Sequence, residues 1–347
     1  MKIFLTGGTG FIGQPLTKSL LGRGWSVIAL VRKPDGPRAQ ALSKMGAQLA
    51  TGDVTERESM RAAMSGADIV VHNAGLYEVG LDRAGKQRMQ RVNVDGTENV
   101  LSLAYELGIP RTVYVSTVLS FGETGHQLRD ETFVREFPCC TTYEQTKTAA
   151  HAIARQYQQR GLPLIIVCPH GVIGPNDQSF IGYLERLYVN HVLPPLAWSP
   201  NAWDTFVAVK DLAEGITLAA EKGRTGETYF LCGEAISVRD FFTLWSRKPG
   251  GFAPRVWLPA RLAAASLALL EPFERMLGLP AFLSREAVRA SSTNWYFSNE
   301  KAKRELGWTH CSAEEMWSAA IDGEIELLSK RKGQNLIQRL KPLDTID

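Results

Sequence analysis

Paired cysteines are missing from this sequence. The five present, Cys139, Cys140, Cys168, Cys232 and Cys311, are odd in number and lack the spacing of a zinc site or a disulfide framework. The pattern reads as a protein of the reducing cytoplasm, with no metal site. A charge excess is missing too: 39 Lys and Arg stand against 36 Asp and Glu, a net charge of +3. No basic stripe, zinc finger or RNA-binding signature is present, which argues against nucleic acid as a partner. Long hydrophobic runs are absent. The most apolar later stretch, 262–270, falls far short of the roughly 20 residues that span a bilayer, so no transmembrane segment is expected. The apolar run 3–5 leads into a glycine loop rather than a cleavage site, so no signal peptide is expected before the first strand. Repeats and low-complexity segments are lacking, which removes solenoid and array architectures.

An apolar fraction of 44% with 22% charged residues suits an ordinary globular chain with a buried core. Its 347 residues exceed the usual single-core size, so a large domain with a smaller lobe is the starting expectation. The first half alternates short β-branched runs with helical patterns, the signature of βαβ units. Strands are predicted at 2–5, 26–31, 47–50, 69–72, 112–115 and 164–167, each without polar alternation, as a sheet covered on both faces requires. Helices are predicted at 14–23, 57–64, 88–107 and 143–160, with Gly108 and Gly161 as stops. After Pro175 the texture turns irregular and aromatic. The fold class is therefore α/β: a doubly wound parallel Rossmann sheet with a smaller, mostly helical C-terminal substrate lobe. The dinucleotide-binding domain is placed at 1–175 with 205–232 returning to it, the lobe at 176–204 and 233–330, and a tail at 331–347 that is expected to be loosely held after Gly333.

Directly after the first strand stands Thr6-Gly7-Gly8-Thr9-Gly10-Phe11-Ile12-Gly13, opening a helix. Gly7 permits the tight turn, Gly10 lets the backbone approach a pyrophosphate, and Gly13 lets helix and strand pack closely, while the helix N-terminus faces the anion. The second strand ends in Val31-Arg32-Lys33. With no acid at its tip and Arg32 able to fork onto a 2′-phosphate, NADP(H) is expected over NAD(H).

A helix opens with Tyr143-Glu144-Gln145-Thr146-Lys147, and the Y-x-x-x-K spacing sets phenol and ammonium on one face. A phenol of pKa near ~10 is a poor acid–base catalyst at neutral pH, but a neighbouring ammonium together with a cationic nicotinamide would favour the phenolate and lower that pKa. Thr117, with Ser116 supporting, is placed to steady a reacting oxygen from the other side.

Together these residues resemble the extended short-chain dehydrogenase/reductase family over nearly the whole chain. The glycine loop is joined by Gly52-Asp53-Val54-Thr55, by His72-Asn73-Ala74-Gly75, by Asn93, by Cys168-Pro169-His170-Gly171-Val172-Ile173-Gly174-Pro175, by Phe206 to Asp211 and by Ser298 to Trp308. The resemblance implies that Gly7, Thr9, Gly10, Phe11, Ile12, Gly13, Arg32, Asp53, Val54, Asn73, Ala74, Gly75, Asn93, Pro169 and His170 hold the cofactor with Tyr143 and Lys147. It further implies a catalytic group of Thr117, Tyr143 and Lys147, and a homodimer paired through 88–107 and 143–160.

Sugar-nucleotide members carry an asparagine where this chain has Gly171 and an arginine near Asp204, both for the substrate diphosphate, which Asp204 would repel. The sequence therefore resembles most the branch of dihydroflavonol reductases and 3β-hydroxysteroid dehydrogenases. The expected activity is interconversion of a carbonyl and a secondary alcohol on an apolar small molecule. An NAD-dependent nucleotide-sugar epimerase and a non-catalytic NADP-binding subunit stand as alternatives. Tyr77, Tyr183 and Trp203 with Thr117 are the substrate candidates, and Tyr188, Trp198 and Phe206 further walls. His170 reads either as a substrate contact or as a structural histidine, and Cys139 and Cys140 as pocket lining. The segment 261–277 reads as an amphipathic helix buried in the lobe, or else lying over the pocket or a membrane.

Overall fold

In the computed structural model, which describes residues 1–78, 81–248, 251–276 and 285–343, seven strands form one sheet. They are β1 (Lys2–Thr6), β2 (Ser26–Val31), β3 (Gln48–Thr51), β4 (Ile69–His72), β5 (Arg111–Val115), β6 (Leu164–Pro169) and β7 (Thr228–Leu231). Their order is β7-β6-β5-β4-β1-β2-β3, and every pairing is parallel. The unbroken apolar runs follow from burial on both faces. Ile3 and Leu5 point into one core with Val71, Val113 and Val167, while Phe4 points into the other with Val70, Tyr114 and Ile166. A one-residue register slip would exchange these two sets, so the alternation fixes the pairing.

Sequence order reverses between β4 and β1, and this switch point opens a crevice at the carboxyl ends of the strands. Thr6, His72, Ser116 and Pro169 all sit at that edge. The helix Gly13–Gly22 leaves the crevice from β1. The helix predicted at 88–107 is composite: Arg83–Gln90 is α-helical, Arg91–Asp95 is a π turn and Gly96–Glu106 resumes the α-helix. The wide turn is centred on Asn93, whose side chain bonds Leu76 instead of following the helix pattern. The segment 57–64 begins as a 3-10 turn, and only Arg61–Met64 is α-helical. The helix Pro37–Lys44 escaped the sequence reading.

The returning segment forms a two-residue ladder, Val207–Ala208 on Val172–Ile173, outside the main sheet. The helix Val209–Lys222 then packs on Gly13–Gly22. In the lobe, a third core gathers Phe180, Tyr183, Phe241, Phe242, Trp245 and Trp317, with Phe241 and Trp317 ring centroids 4.5 Å apart. The helix Ala260–Met276 buries Ala263 and Leu267 and leaves Leu262 and Leu269 exposed on its outer side; Leu277 lies outside the described residues. No helix among the described residues is long and apolar enough to cross a membrane.

The C-terminal segment is not loose as far as Leu343. Leu340 is buried in the lobe core, and Arg331 donates to the carbonyls of Gln338, Arg339 and Lys341 at 2.7–3.2 Å. Leu343 exchanges two backbone bonds with the Asn176 amide. Residues 344–347 of the predicted tail lie outside the described residues.

Candidate active site

The glycine loop closes on itself and on the turn after β4. Gly10 N–H donates to the Gly7 carbonyl at 3.1 Å, and the Asn73 amide donates to the same oxygen at 3.3 Å. Ala74 N–H donates to Thr6 Oγ1. A side chain at Gly13 would lie 2.1 Å from the Gly7 carbonyl, whereas one at Gly10 would meet only that oxygen, at 3.3 Å. The space over Gly10 is thus a cradle that a Cβ would begin to fill. Asn73 Oδ1 is buried there without a hydrogen-bond partner among the described residues, an acceptor awaiting a donor. These features fit a bound dinucleotide. Around the cradle, Phe11 comes near Gly174, Ile12 packs on the core, and Gly75 lies against the Asn93 side chain. Asp53 Oδ1 accepts from Thr55 N–H and Oγ1, a side-chain turn that fixes the loop after β3. Val54 is buried beside it, its carbonyl held by Asn99.

Tyr143 and Lys147 lie on the helix Thr142–Gln159, capped by the Thr141 side chain on Glu144 N–H. The Lys147 ammonium donates to Val115 O at 2.9 Å and Tyr114 Oη at 3.2 Å. It also stands 4.8 Å from the Tyr114 ring centre. Tyr143 has no hydrogen bond to Lys147. Its ring meets the exposed Tyr77 edge-on at 4.8 Å, and its hydroxyl has no partner among the described residues. Burial holds the Tyr143 phenol above its ordinary pKa and Lys147 opposes this only in part. Of the two cations expected to lower it, the ammonium alone does not outweigh desolvation. Lys147 is itself shifted down by burial, with Tyr143 opposing.

Thr117, buried, donates to Pro169 O at 3.2 Å and accepts from Leu119 N–H. Ser116 Oγ is taken by His151 Nδ1 at 2.9 Å. Asn93 Nδ2 donates to Thr146 Oγ1, and Thr146 in turn to Tyr143 O, so the π turn braces the tyrosine's helix. His72 connects the glycine loop inward: Nδ1 meets Thr6 Oγ1 at 2.8 Å and Nε2 meets Thr97 Oγ1 at 3.1 Å. The sequence reading missed Tyr114, His72 and His151 as partners of this group. His151, four residues beyond Lys147 on the same helical face, was within reach of spacing alone.

Burial depresses His72 to about 3 and His151 to about 4 from 6.5. Both folded pKa values lie below the unfolded one, so their stabilising contribution is complete above pH 6.5 and is lost as pH falls toward them. Buried acids with raised pKa values, Glu185 foremost, have the opposite sign, so one histidine must be isolated. The stability difference between wild type and His151→Gln should shrink by about 1.4 kcal/mol per pH unit as pH falls from 6.5 toward the folded value. Urea unfolding of both proteins across that window checks it, and a pH-independent difference would refute it.

His170 Nδ1 stands 2.6 Å from Asp204 Oδ1, outside hydrogen-bond geometry, and the ring packs beside Phe206 and Trp295. A small apolar cavity of about 70 Å³, partly open to solvent, is lined by Phe180, Leu184, Trp198, Phe206, Phe241 and Asp204 among others. Of the expected substrate residues, Tyr183 is core at 2% exposure and Trp203 is an exposed strand residue whose ring lies tilted beside Tyr296; neither lines the cavity. Tyr188 is also core, bonded to Trp245 O. Cys140 borders a separate open polar cleft with Arg83 and Lys86, and Cys139 contacts Thr148.

Comparison with known proteins places this geometry. The sequence profile of the NAD dependent epimerase/dehydratase family matches residues 3–232. A 4-hydroxy-2-methyl-3-oxo-4-farnesyl-3,4-dihydroquinoline-1-oxide ketoreductase of Stigmatella aurantiaca is 33% identical, over 89% of this chain and 92% of its own. A 3-beta-hydroxysteroid dehydrogenase of Mycolicibacterium neoaurum is 29% identical, over 88% and 86%. Among solved structures, gox2253 superposes with a TM-score of 0.78 at 28% identity, covering 96% of this chain and 99% of its own. DesIV, a dTDP-glucose 4,6-dehydratase of Streptomyces venezuelae with NAD and TYD bound, gives 0.76 at 22%, covering 95% and 98%.

The expected preference for NADP(H) over NAD(H) is corrected. DesIV was solved with NAD, as was MoeE5, similar at a TM-score of 0.72 and 20% identity over 94% of this chain and all of its own. Arg32, on which the expectation rested, is exposed and bonds no described residue.

Proposed function

Because the chain belongs to the NAD dependent epimerase/dehydratase family, we propose that it interconverts a carbonyl and a secondary alcohol on an apolar small molecule. It is an NAD(P)-dependent enzyme of the oxidoreductase/epimerase type, with tyrosine and lysine side by side in the crevice. The glycine loop 7–13, Asp53 with Val54, and Asn73 with Ala74 and Gly75 are proposed to hold the dinucleotide, whose nicotinamide supplies or accepts the hydride when bound. Tyr143 holds the proton exchanged with the substrate oxygen at its open hydroxyl. Lys147, fixed by Tyr114 and Val115, keeps positive charge beside that hydroxyl, and Thr117 turns from Pro169 O toward the same oxygen.

The wall around Gly171 carries the choice of substrate. A side chain there would stand 2.4 Å from the Phe206 ring, so no asparagine fits while Phe206 fills the space, and Asp204 adds negative charge where a diphosphate would lie. The 33% identical ketoreductase and the hydroxysteroid dehydrogenase support the reductase reading, and with them the dihydroflavonol reductase and hydroxysteroid dehydrogenase branch.

A nucleotide-sugar epimerase is the second reading, favoured by the family's description and by similar folds solved with sugar nucleotides, such as MoeE5 with UDP-glucose. The two separate in one assay series on the purified protein. Steady NADH consumption with hydrophobic ketones, and no change in UDP-glucose, is the expected result. Tightly retained dinucleotide, with UDP-glucose converted to UDP-galactose and no net NADH change, would replace it by the epimerase.

A further inference from the structure

Lys147 is a buried ammonium without a carboxylate beside it. The residue is 5% exposed, and none of the described carboxylates pairs with it. Buried charges are ordinarily paired, because leaving water is costly. The groups around this one come from three strands and its own helix. Tyr114 Oη and the Val115 carbonyl face it from β5, at 3.2 and 2.9 Å. Cys168 lies near on β6 and His72 on β4, while Tyr143 and His151 share its helix. Burial holds the Cys168 thiol and both phenols above their ordinary values, and the two histidines stand at about 3 and about 4. All six neighbours are therefore uncharged at neutral pH. Burial also pulls Lys147 toward its neutral form.

Tyr114 does the work that an acid would do elsewhere. Its hydroxyl accepts from the ammonium, and its ring centre stands 4.8 Å from the same nitrogen, within cation–π range. The side chain is fully buried and locked in place, since its ring stacks on His72 at 5.5 Å and 21°. His72 is fixed in turn at both nitrogens, by Thr6 and Thr97. Tyr114 is thus a neutral acceptor held rigidly against the charge.

We propose that Tyr114 is a positioning residue that keeps Lys147 charged and so sets the alkaline limit of catalysis. A hydrogen bond to a charged group favours the charged form. Without the hydroxyl, the ammonium keeps the Val115 carbonyl as its one accepting oxygen among the described residues. A neutral Lys147 no longer favours the phenolate left on Tyr143 once its proton has gone to the substrate oxygen. Tyr114 acts only through Lys147. The catalytic half of this inference rests on the hydride-transfer reading above, whereas the charge on Lys147 is measurable without turnover.

Tyr114→Phe removes the hydroxyl and keeps the ring with its stack on His72. In kcat against pH, with NADH and 2-decanone, the alkaline limb should move about one to two pH units lower, the size that a hydrogen bond to a charge commands. The sign identifies the group. A limb owned by the Tyr143 phenol would move higher instead, because a phenol beside a less charged neighbour ionises later. A loss of kcat equal at every pH is what misplacement of the helix would give. Either result, or an unmoved limb, would overturn the proposal. Carbon-13 NMR of protein labelled at lysine Cε, with Lys147→Met to assign the resonance, follows the charge directly. Lys147 should be charged at pH 7 in the wild type and lose its proton about one to two pH units lower in Tyr114→Phe. Equal titration in the two proteins, or a wild-type Lys147 already neutral at pH 7, refutes the role of Tyr114. If 2-decanone and other hydrophobic ketones consume no NADH, the hydride-transfer reading fails by itself, and the resonance still decides whether Tyr114 holds the charge.

Discussion

A Tyr143→Phe variant should fold and bind dinucleotide like the wild type, to within a few-fold, while losing turnover by about 10²- to 10⁴-fold, the range general acid–base catalysis commands. The ring's contacts survive the change. Its edge-on meeting with Tyr77 involves no hydroxyl, and the bond from Thr146 goes to the Tyr143 carbonyl. Only the open hydroxyl disappears. Neither Ser116, committed to His151, nor Lys147, which points to Val115 and Tyr114, is placed to replace it. Stopped-flow or steady-state rates with a hydrophobic ketone, beside calorimetric NADH affinity, give both numbers. Unchanged turnover would remove Tyr143 from the chemistry.

Local signals in the sequence carried far. The glycine loop is legible because strand, turn and helix follow one another within a dozen residues, and the sheet because runs such as 69–71 feed two cores in alternation. Relations between distant elements were not legible. Asp204 meets His170 only once the antiparallel pairing of Trp203–Asp204 with Ile236–Ser237 is built, and Lys147 finds Tyr114 only when its helix covers β5. The net direction of the Tyr143 shift depends on burial, which spacing alone does not measure. The NADP(H) expectation failed for a related reason: two basic residues at a strand tip are as readily solvated side chains as a phosphate clamp, and Arg32 is exposed. The π turn at Arg91–Asp95 left no periodic trace, since it inserts one residue between two ordinary helical stretches.

The glycines of the loop should separate cleanly into one that the fold needs and one that the cofactor needs. Gly7 has φ of +72°, and an added Cβ would stand 2.7–2.8 Å from Ala74 N, Ala74 Cα and Asn73 C. All three are backbone atoms on the turn after β4, so no rotamer relieves the clash. Left-handed strain of roughly 1–2 kcal/mol and overpacking of roughly 1–3 kcal/mol predict that Gly7→Ala loses about 2–5 kcal/mol of stability. The loss should appear without any ligand, because Gly7 O anchors both Gly10 N–H and the Asn73 amide. Gly10→Ala is different. Its Cβ would meet only the Gly7 carbonyl, at 3.3 Å, so stability should change by no more than about 1 kcal/mol. The methyl would instead enter the cradle assigned to the pyrophosphate, weakening NADH on the order of 10- to 100-fold, as a clash of that size implies. Urea unfolding of the ligand-free variants, paired with NADH calorimetry, measures the two losses separately. A Gly10→Ala protein with full NADH affinity would move the dinucleotide away from this loop, and a Gly7→Ala protein as stable as wild type would show that the turn after β4 can retreat.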